Sequence, residues 1–251
     1  TLNSDADEFA SIIVGGTSSG NVVYNRYVNI VGADEWDLIG SPVNGLDINT
    51  FVSNNSSVLA TNDVQVGIGI YSNSNNDWSN YTTDGSGAGN INAVGSFDIG
   101  KGYQMATNSG ATLAFTGTIA TTDQTQSIIN NDGNGSGRRW NLVANPYPSY
   151  LNLNSAADGT NNLISVNTAM GNQIIDGSFA AVYGWNPNKS GGAGYDSYDN
   201  NDTAKYIAPG QGFFIAASSS SSTDLDFTQA MQTVTGGDDF VIGDPIQYEE
   251  I

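Results

Sequence analysis

The sequence predicts an all-β protein made of two tandem, internally repeated β-sandwich units of jelly-roll type, with short helices in loops. Three observations predict it: a composition heavy in turn formers, an internal repeat, and short alternating apolar runs. Glycine contributes 31 of 251 residues, and charged residues make up only 12%, about half the usual share. Aspartate far outnumbers glutamate among the acids, and asparagine is abundant. Gly, Asp and Asn favour turns and are depleted from strands and helix interiors. A chain rich in them needs many loops between short elements.

Self-comparison supplies the organisation. EWDLIGSP (35–42) matches RWNLVANP (139–146), aligning Trp36 with Trp140, Leu38 with Leu142 and Pro42 with Pro146. DIGKGYQMA (98–106) matches APGQGFFIA (208–216), and LAFTGTIATT (113–122) matches LDFTQAMQTV (225–234). Between these blocks, WSNY (78–81) lies opposite YDSY (195–198). Order is kept and the offset grows slowly, as insertions in loops would make it. The expected division is a first unit over 1–122, a linker over 123–137 and a second unit over 138–251. DQTQSIINNDGNGSG (123–137) carries the turn formers of a linker.

Within each copy the patterning is that of strands. WDLIG and WNLVA are short strands ending at turns set by Ser-Pro and Asn-Pro. VQVGIGIY (64–71) and AAVYGW (180–185) alternate. GYQMA and GFFIA each follow a glycine that suits a tight entry, and LAFTGTIA and LDFTQAM close the copies. INTFVSNN (48–55) and VNTAMGNQI (166–174) are read as short helices. Asn145-Pro146 is a plausible place for a cis or strained bond. Many short strands between Gly/Asn/Asp turns indicate a sandwich or a jelly roll.

Composition also excludes functions. With 25 acidic and 6 basic side chains the net charge is −19, which repels nucleic acid and anionic membrane surfaces. The chain has no Cys and no His, so thiol nucleophiles, Ser–His pairs and Cys/His zinc sites are excluded. No apolar run reaches the ~18 residues that span a bilayer. TLNSDADEF at the start has neither a basic nor an apolar leader region. DDFVIGDPIQYEEI at the end alternates and then stops, as a cut through a longer chain would.

Catalysis would have to rest on carboxylates. A glycosidase needs a pair across a cleft. The four glutamates are Glu8, Glu35, Glu249 and Glu250, three of them near the termini. The expectation is therefore a non-catalytic module. Calcium is the candidate cofactor, because only oxygen ligands are available. In DGNGSG (132–137), Asp132, Asn134 and Ser136 alternate as in the first half of a calcium loop, but the position of the closing bidentate Glu is Val143. Asp196, Asp199 and Asp202 form a second acidic cluster in YDSYDNNDTAKY. Glycan is the candidate partner, through aromatics read as loop residues: Trp78 and Tyr81 in SNNDWSNYTTDG, and Trp185, Tyr195 and Tyr198 in the second copy. Equivalent aromatics in two copies suit a bivalent binder. Trp36 and Trp140, which begin strands, are read as core residues.

ASIIVGGTSSGNVVYNRYVN (10–29), WDLIGSPVNG (36–45), RWNLVANPYPSYLNL (139–153), YIAPGQGFFIAA (206–217) and LDFTQAMQT (225–233) together resemble a segment of large secreted proteins of Bacteroidota. Those proteins are typically exported by the type IX secretion system and carry a C-terminal sorting domain. The resemblance covers nearly the whole chain, implies a secreted or cell-surface location within a larger parent protein, and carries no catalytic residues. The resulting expectation is a module for adhesion or surface architecture that binds glycan through its aromatics. The rival is the carbohydrate-binding accessory part of a polysaccharide-degrading enzyme.

Overall fold

A computed structural model of the chain describes residues 1–32, 36–171, 173–186, 189 and 192–237. Glu35, Glu249, Glu250 and the alternating C-terminal stretch lie outside the described residues. Over the described residues the fold is all-β with two short α-helices. The first elements are β1 (Leu2–Asn3), β2 (Val22–Val28), β3 (Asp37–Ile39), α1 (Ile48–Asn54), β4 (Thr61–Asn62), β5 (Gln65–Ser72), β6 (Asp77–Thr82), β7 (Tyr103–Met105) and β8 (Ala111–Gly117). They continue with β9 (Gln124–Ile128), β10 (Trp140–Ala144), β11 (Tyr150–Asn152), α2 (Leu163–Asn167), β12 (Val182–Asn186), β13 (Gly194–Tyr198), β14 (Tyr206–Ile207), β15 (Gly212–Ala216), β16 (Thr223–Phe227) and β17 (Gln232–Thr233).

In the first half, the sheet β1-β2-β8 lies over the sheet β3-β7-β5-β4, with β6 paired to β5. Tyr24, Phe51, Tyr103, Met105 and Phe115 fill the space between them. Alternation buries Tyr24, Arg26 and Val28 of β2, as period 2 requires. The buried Arg26 guanidinium stacks 4.1 Å above the Phe9 ring, a cation–π contact that favours its charge there. In the second half, the β9–β16 pair and the sheet β10-β15-β12-β13 enclose Val143, Leu163, Phe213, Ile215 and Phe227.

The strand registers of the halves correspond. Leu38 pairs with Gln104 and Leu142 with Phe214; Ile39 pairs with Tyr103 and Val143 with Phe213. Tyr71 pairs with Trp78 and Trp185 with Tyr195. Tyr24 pairs with Phe115 and Gln124 with Phe227. The last pairing lies in the segment expected as a linker, which opens with the strand β9. Its residues are polar except Ile128, its one buried position. Such an edge strand has no apolar period to read.

Helix α1 forms where expected, with Asp47 accepting from the Thr50 N–H at 2.8 Å. The helix expected over 166–174 instead occupies Leu163–Asn167, because Asn162 caps it earlier by accepting from the Ser165 N–H. Each helix ends at a buried asparagine that binds the neighbouring strand. Asn55 Nδ2 donates to Phe51 O and Ala114 O, and its Oδ1 accepts from Ala114 N. Asn167 repeats the pattern with Leu163 O, Asp226 O and Asp226 N. Asn145 is likewise buried and donates to Ser149 O, Ile207 O and Ala208 O. Among the described residues no peptide bond is cis, so the bond before Pro146 is trans.

The halves meet through crossed backbone contacts. Gly40 N donates to Gly210 O at 2.9 Å, and Ala144 N donates to Gly100 O at 2.8 Å. Ile39 bridges to Gln211, and Val143 bridges to Lys101. Gly40 is the repeat partner of Ala144, and Gly100 of Gly210, so each contact is the two-fold counterpart of the other. Leu38, Leu142 and Phe214 are buried together at this seam. The glycines of the repeated Gly-x-Gly-aromatic motif make the approach possible. A Cβ on Gly102 would sit 2.6 Å from Leu142 Cγ, and one on Gly212 would sit 2.7 Å from the Leu38 carbonyl carbon.

Gly102→Ala and Gly212→Ala are each expected to lower stability by about 1–3 kcal/mol through overpacking, read as a lower urea midpoint. An unchanged midpoint in both variants would refute this account of the seam.

Candidate functional site

An aromatic cleft opens beside the seam. Tyr71, Asn76, Trp78, Trp140, Tyr183, Tyr195 and Phe214 line a cavity of about 340 Å³, at the small end of ligand pockets. Phe214 is its hub. The ring of Tyr71 meets it edge-on at 4.9 Å, that of Tyr195 at 5.5 Å and that of Trp78 at 6.0 Å. Trp140 and Tyr183 form a second edge-on pair at 4.6 Å. These geometries are the favoured ones for aromatic quadrupoles.

The hairpin between β5 and β6 carries Tyr71, Asn76 and Trp78 into this place. Asn73 at its tip donates to Ile129 O at 2.9 Å and to Asn141 Oδ1 at 3.1 Å, and accepts from Asn131 Nδ2 at 3.0 Å. The tip is thereby anchored on the second half. Asn76 turns the chain in the left-handed region, with φ 54°, which Asn tolerates. Its Oδ1 accepts from the Tyr71 hydroxyl at 2.8 Å. Burial, with the Tyr71 phenol adding to it, pushes the pKa of Tyr195 up to about 12, although the residue as a whole is 42% exposed.

The structure rearranges the expected sites. Trp78 and Tyr195 line the cleft, and Trp185 packs on Tyr195 at 5.1 Å. Tyr81 and Tyr198 do not join them: Tyr81 lies in the core of the first half, and Tyr198 packs on that of the second. The reason is that WSNY and YDSY are strands, not loops. Residues three apart in a strand face opposite ways. The equivalent aromatics converge on one cleft rather than forming two separate sites. Trp140, expected in a core, is half-buried at the cleft. Tyr71, Asn76, Tyr183 and Phe214 were not anticipated. The pair Phe213-Phe214 did carry a signal, since adjacent strand residues cannot both face one core.

The aspartates expected at calcium sites each have partners within the chain. Asp132 Oδ1 accepts from the Arg138 N–H at 2.7 Å, and its Oδ2 pairs with the Arg139 guanidinium at 2.5 Å. Arg139 also pairs with Asp176 at 2.7 Å. Asn134 and Ser136 are exposed. Asp196 pairs with Lys189 and accepts from Asn186. Burial raises its pKa, but these two partners outweigh it and leave the group below its usual value. Asp202 accepts from the Asp199 N–H, and Asp199 accepts from the Asn201 N–H, so both serve a turn. Among the described residues, no three carboxylates gather to hold a metal.

A family described as "Domain of unknown function (DUF8693)" matches residues 8–242. The chain belongs to that family. No curated protein and no solved structure matches it. The DUF8693 match spans both halves of the seam and every residue of the cleft. The cleft of this DUF8693 domain presents ring faces, ring edges and one carboxamide, and none of the described residues in its lining is charged. It can stack on an apolar face and hydrogen-bond to hydroxyls.

Because Asp132 is already paired with Arg139, the melting temperature is expected to be the same in millimolar calcium and in chelator. A rise with calcium that disappears in Asp132→Asn would contradict this. Tyr195 has its pKa raised from 10.0 to about 12. Its contribution to stability is therefore complete below pH 10 and lost as pH rises toward 12. Alkaline denaturation of Tyr195→Phe is expected to show a weaker decline over that window than the parent chain.

Proposed function

We propose that this domain is a non-catalytic module of a secreted or cell-surface protein. In this reading it serves adhesion or surface architecture and holds glycan in the aromatic cleft. The observation that carries the reading is the aromatic lining of that cleft. Sugar rings present flat C–H faces, which stack on indole and phenol rings, and their hydroxyls bond to amides and phenols. The net charge of −19 favours a neutral ligand over an anionic one. The resemblance to exported surface proteins supports the location. A carbohydrate-binding part of a polysaccharide-degrading enzyme would use the same cleft, with catalysis supplied elsewhere in its parent chain.

The test is a glycan array followed by calorimetry on the hits. Trp78→Ala is expected to weaken binding roughly tenfold or more, about the value of one aromatic stack. Trp185→Ala should cost less, because Trp185 supports Tyr195 without lining the cavity. Equal affinity of Trp78→Ala and the parent chain would remove the cleft from the account.

A further inference from the structure

A second cavity of about 310 Å³ lies on the same face of the first-half sheet. Trp36, Asn62, Gln65, Gly67 and Asn80 are among its lining residues, and none of the described lining residues is charged. Trp36 is half-buried, and Asn62 and Gln65 are exposed. Asn80 is held in place: its Oδ1 accepts from Gln104 Nε2 at 2.6 Å, and its Nδ2 donates to Val66 O at 3.2 Å.

This face corresponds by register to the one that presents the cleft aromatics in the second half. Trp36 is the repeat partner of Trp140. Gln104 stands where the second half has Phe214, Gly69 where it has Tyr183, and Asn80 where it has Ser197. The tryptophan is kept, while Phe214 gives way to a carboxamide, Tyr183 to a glycine and Ser197 to a second carboxamide. A tryptophan flanked by amides is a platform with donors and acceptors beside it, which matches hydroxyl groups. The two cavities also adjoin. Trp78 of the cleft and Asn80 of this groove are two residues apart on one face of β6, about 7 Å.

We propose that the Trp36 groove is a second subsite for a neutral oligosaccharide, which runs from the aromatic cleft across Asn80 to Trp36. The ring of Trp36 stacks on one sugar unit, and Asn62 and Gln65 take its hydroxyls. The inference rests on the reading of the cleft as a glycan site. It adds that the site is extended and that the ligand is a chain rather than a single ring.

The test uses the four tryptophan indole N–H resonances of the full chain, assigned with single Trp→Phe variants. Neutral gluco-, manno- and galacto-oligosaccharides are titrated from disaccharide to hexasaccharide. The expected result is that Trp78 and Trp140 shift with every length, while Trp36 shifts only with the longer chains. Affinity should rise roughly tenfold across the series, and Gln65→Ala with Trp36→Phe should abolish the rise. Shifts at Trp78 and Trp140 with Trp36 unmoved would overturn the second subsite and leave the cleft standing. A shift at Trp36 alone would support the groove as a glycan site and overturn the cleft. No shift at any indole would overturn both.

Discussion

Two leucines seated on two glycines set the shape of this molecule. Leu142 lies over Gly102, and Leu38 lies against Gly212. Neither contact would fit a side chain at the glycine, and the crossed hydrogen bonds of Gly40 and Ala144 hold the same separation. The outward faces of the two central sheets are thereby brought together. Each half keeps its own apolar core on the other face of its sheet. The aromatic cluster at the seam is thus a third packed layer, and the cleft is its open margin.

This arrangement explains why the site needs both halves. Phe214 comes from the second half, whereas Tyr71 and Trp78 arrive on a hairpin from the first. The hairpin tip is secured by Asn73 to the backbone of the other half. Rings held by rigid strands on both sides lose little freedom when a ligand stacks on them, which favours affinity. None of the described acidic side chains lines the cleft. Several close turns or pair with the few cations, as Asp132, Asp176 and Asp196 do.

Much of the fold was legible because its signals are local. The Trp-x-Leu and Gly-x-Gly-aromatic blocks mark β3, β7, β10 and β15, and their alignment agrees with the observed registers. The strand β9 was hidden because it is polar on an edge. The second helix was misplaced because its cap, Asn162, precedes the residues that looked helical. The site was half legible. Trp78 and Tyr195 stand out as equivalent aromatics, but polar strands such as DWSNYT resemble loops, so Tyr81 reads as a loop residue although it faces the core. Self-comparison shows which residues correspond, yet it does not show how the copies face each other. Convergence on one cleft depends on that orientation, which lies in the glycine contacts.

The departure of Gln104 from Phe214, and of Gly69 from Tyr183, has an evolutionary meaning. If two separate identical chains met through such a seam, every substitution would appear in both grooves at once. A single chain that carries both copies is released from that rule, since each codon alters one groove only. The leucines and second glycines, which hold the seam, have stayed alike in both copies. The neighbouring positions have been free to part, one groove becoming aromatic and the other rich in amides.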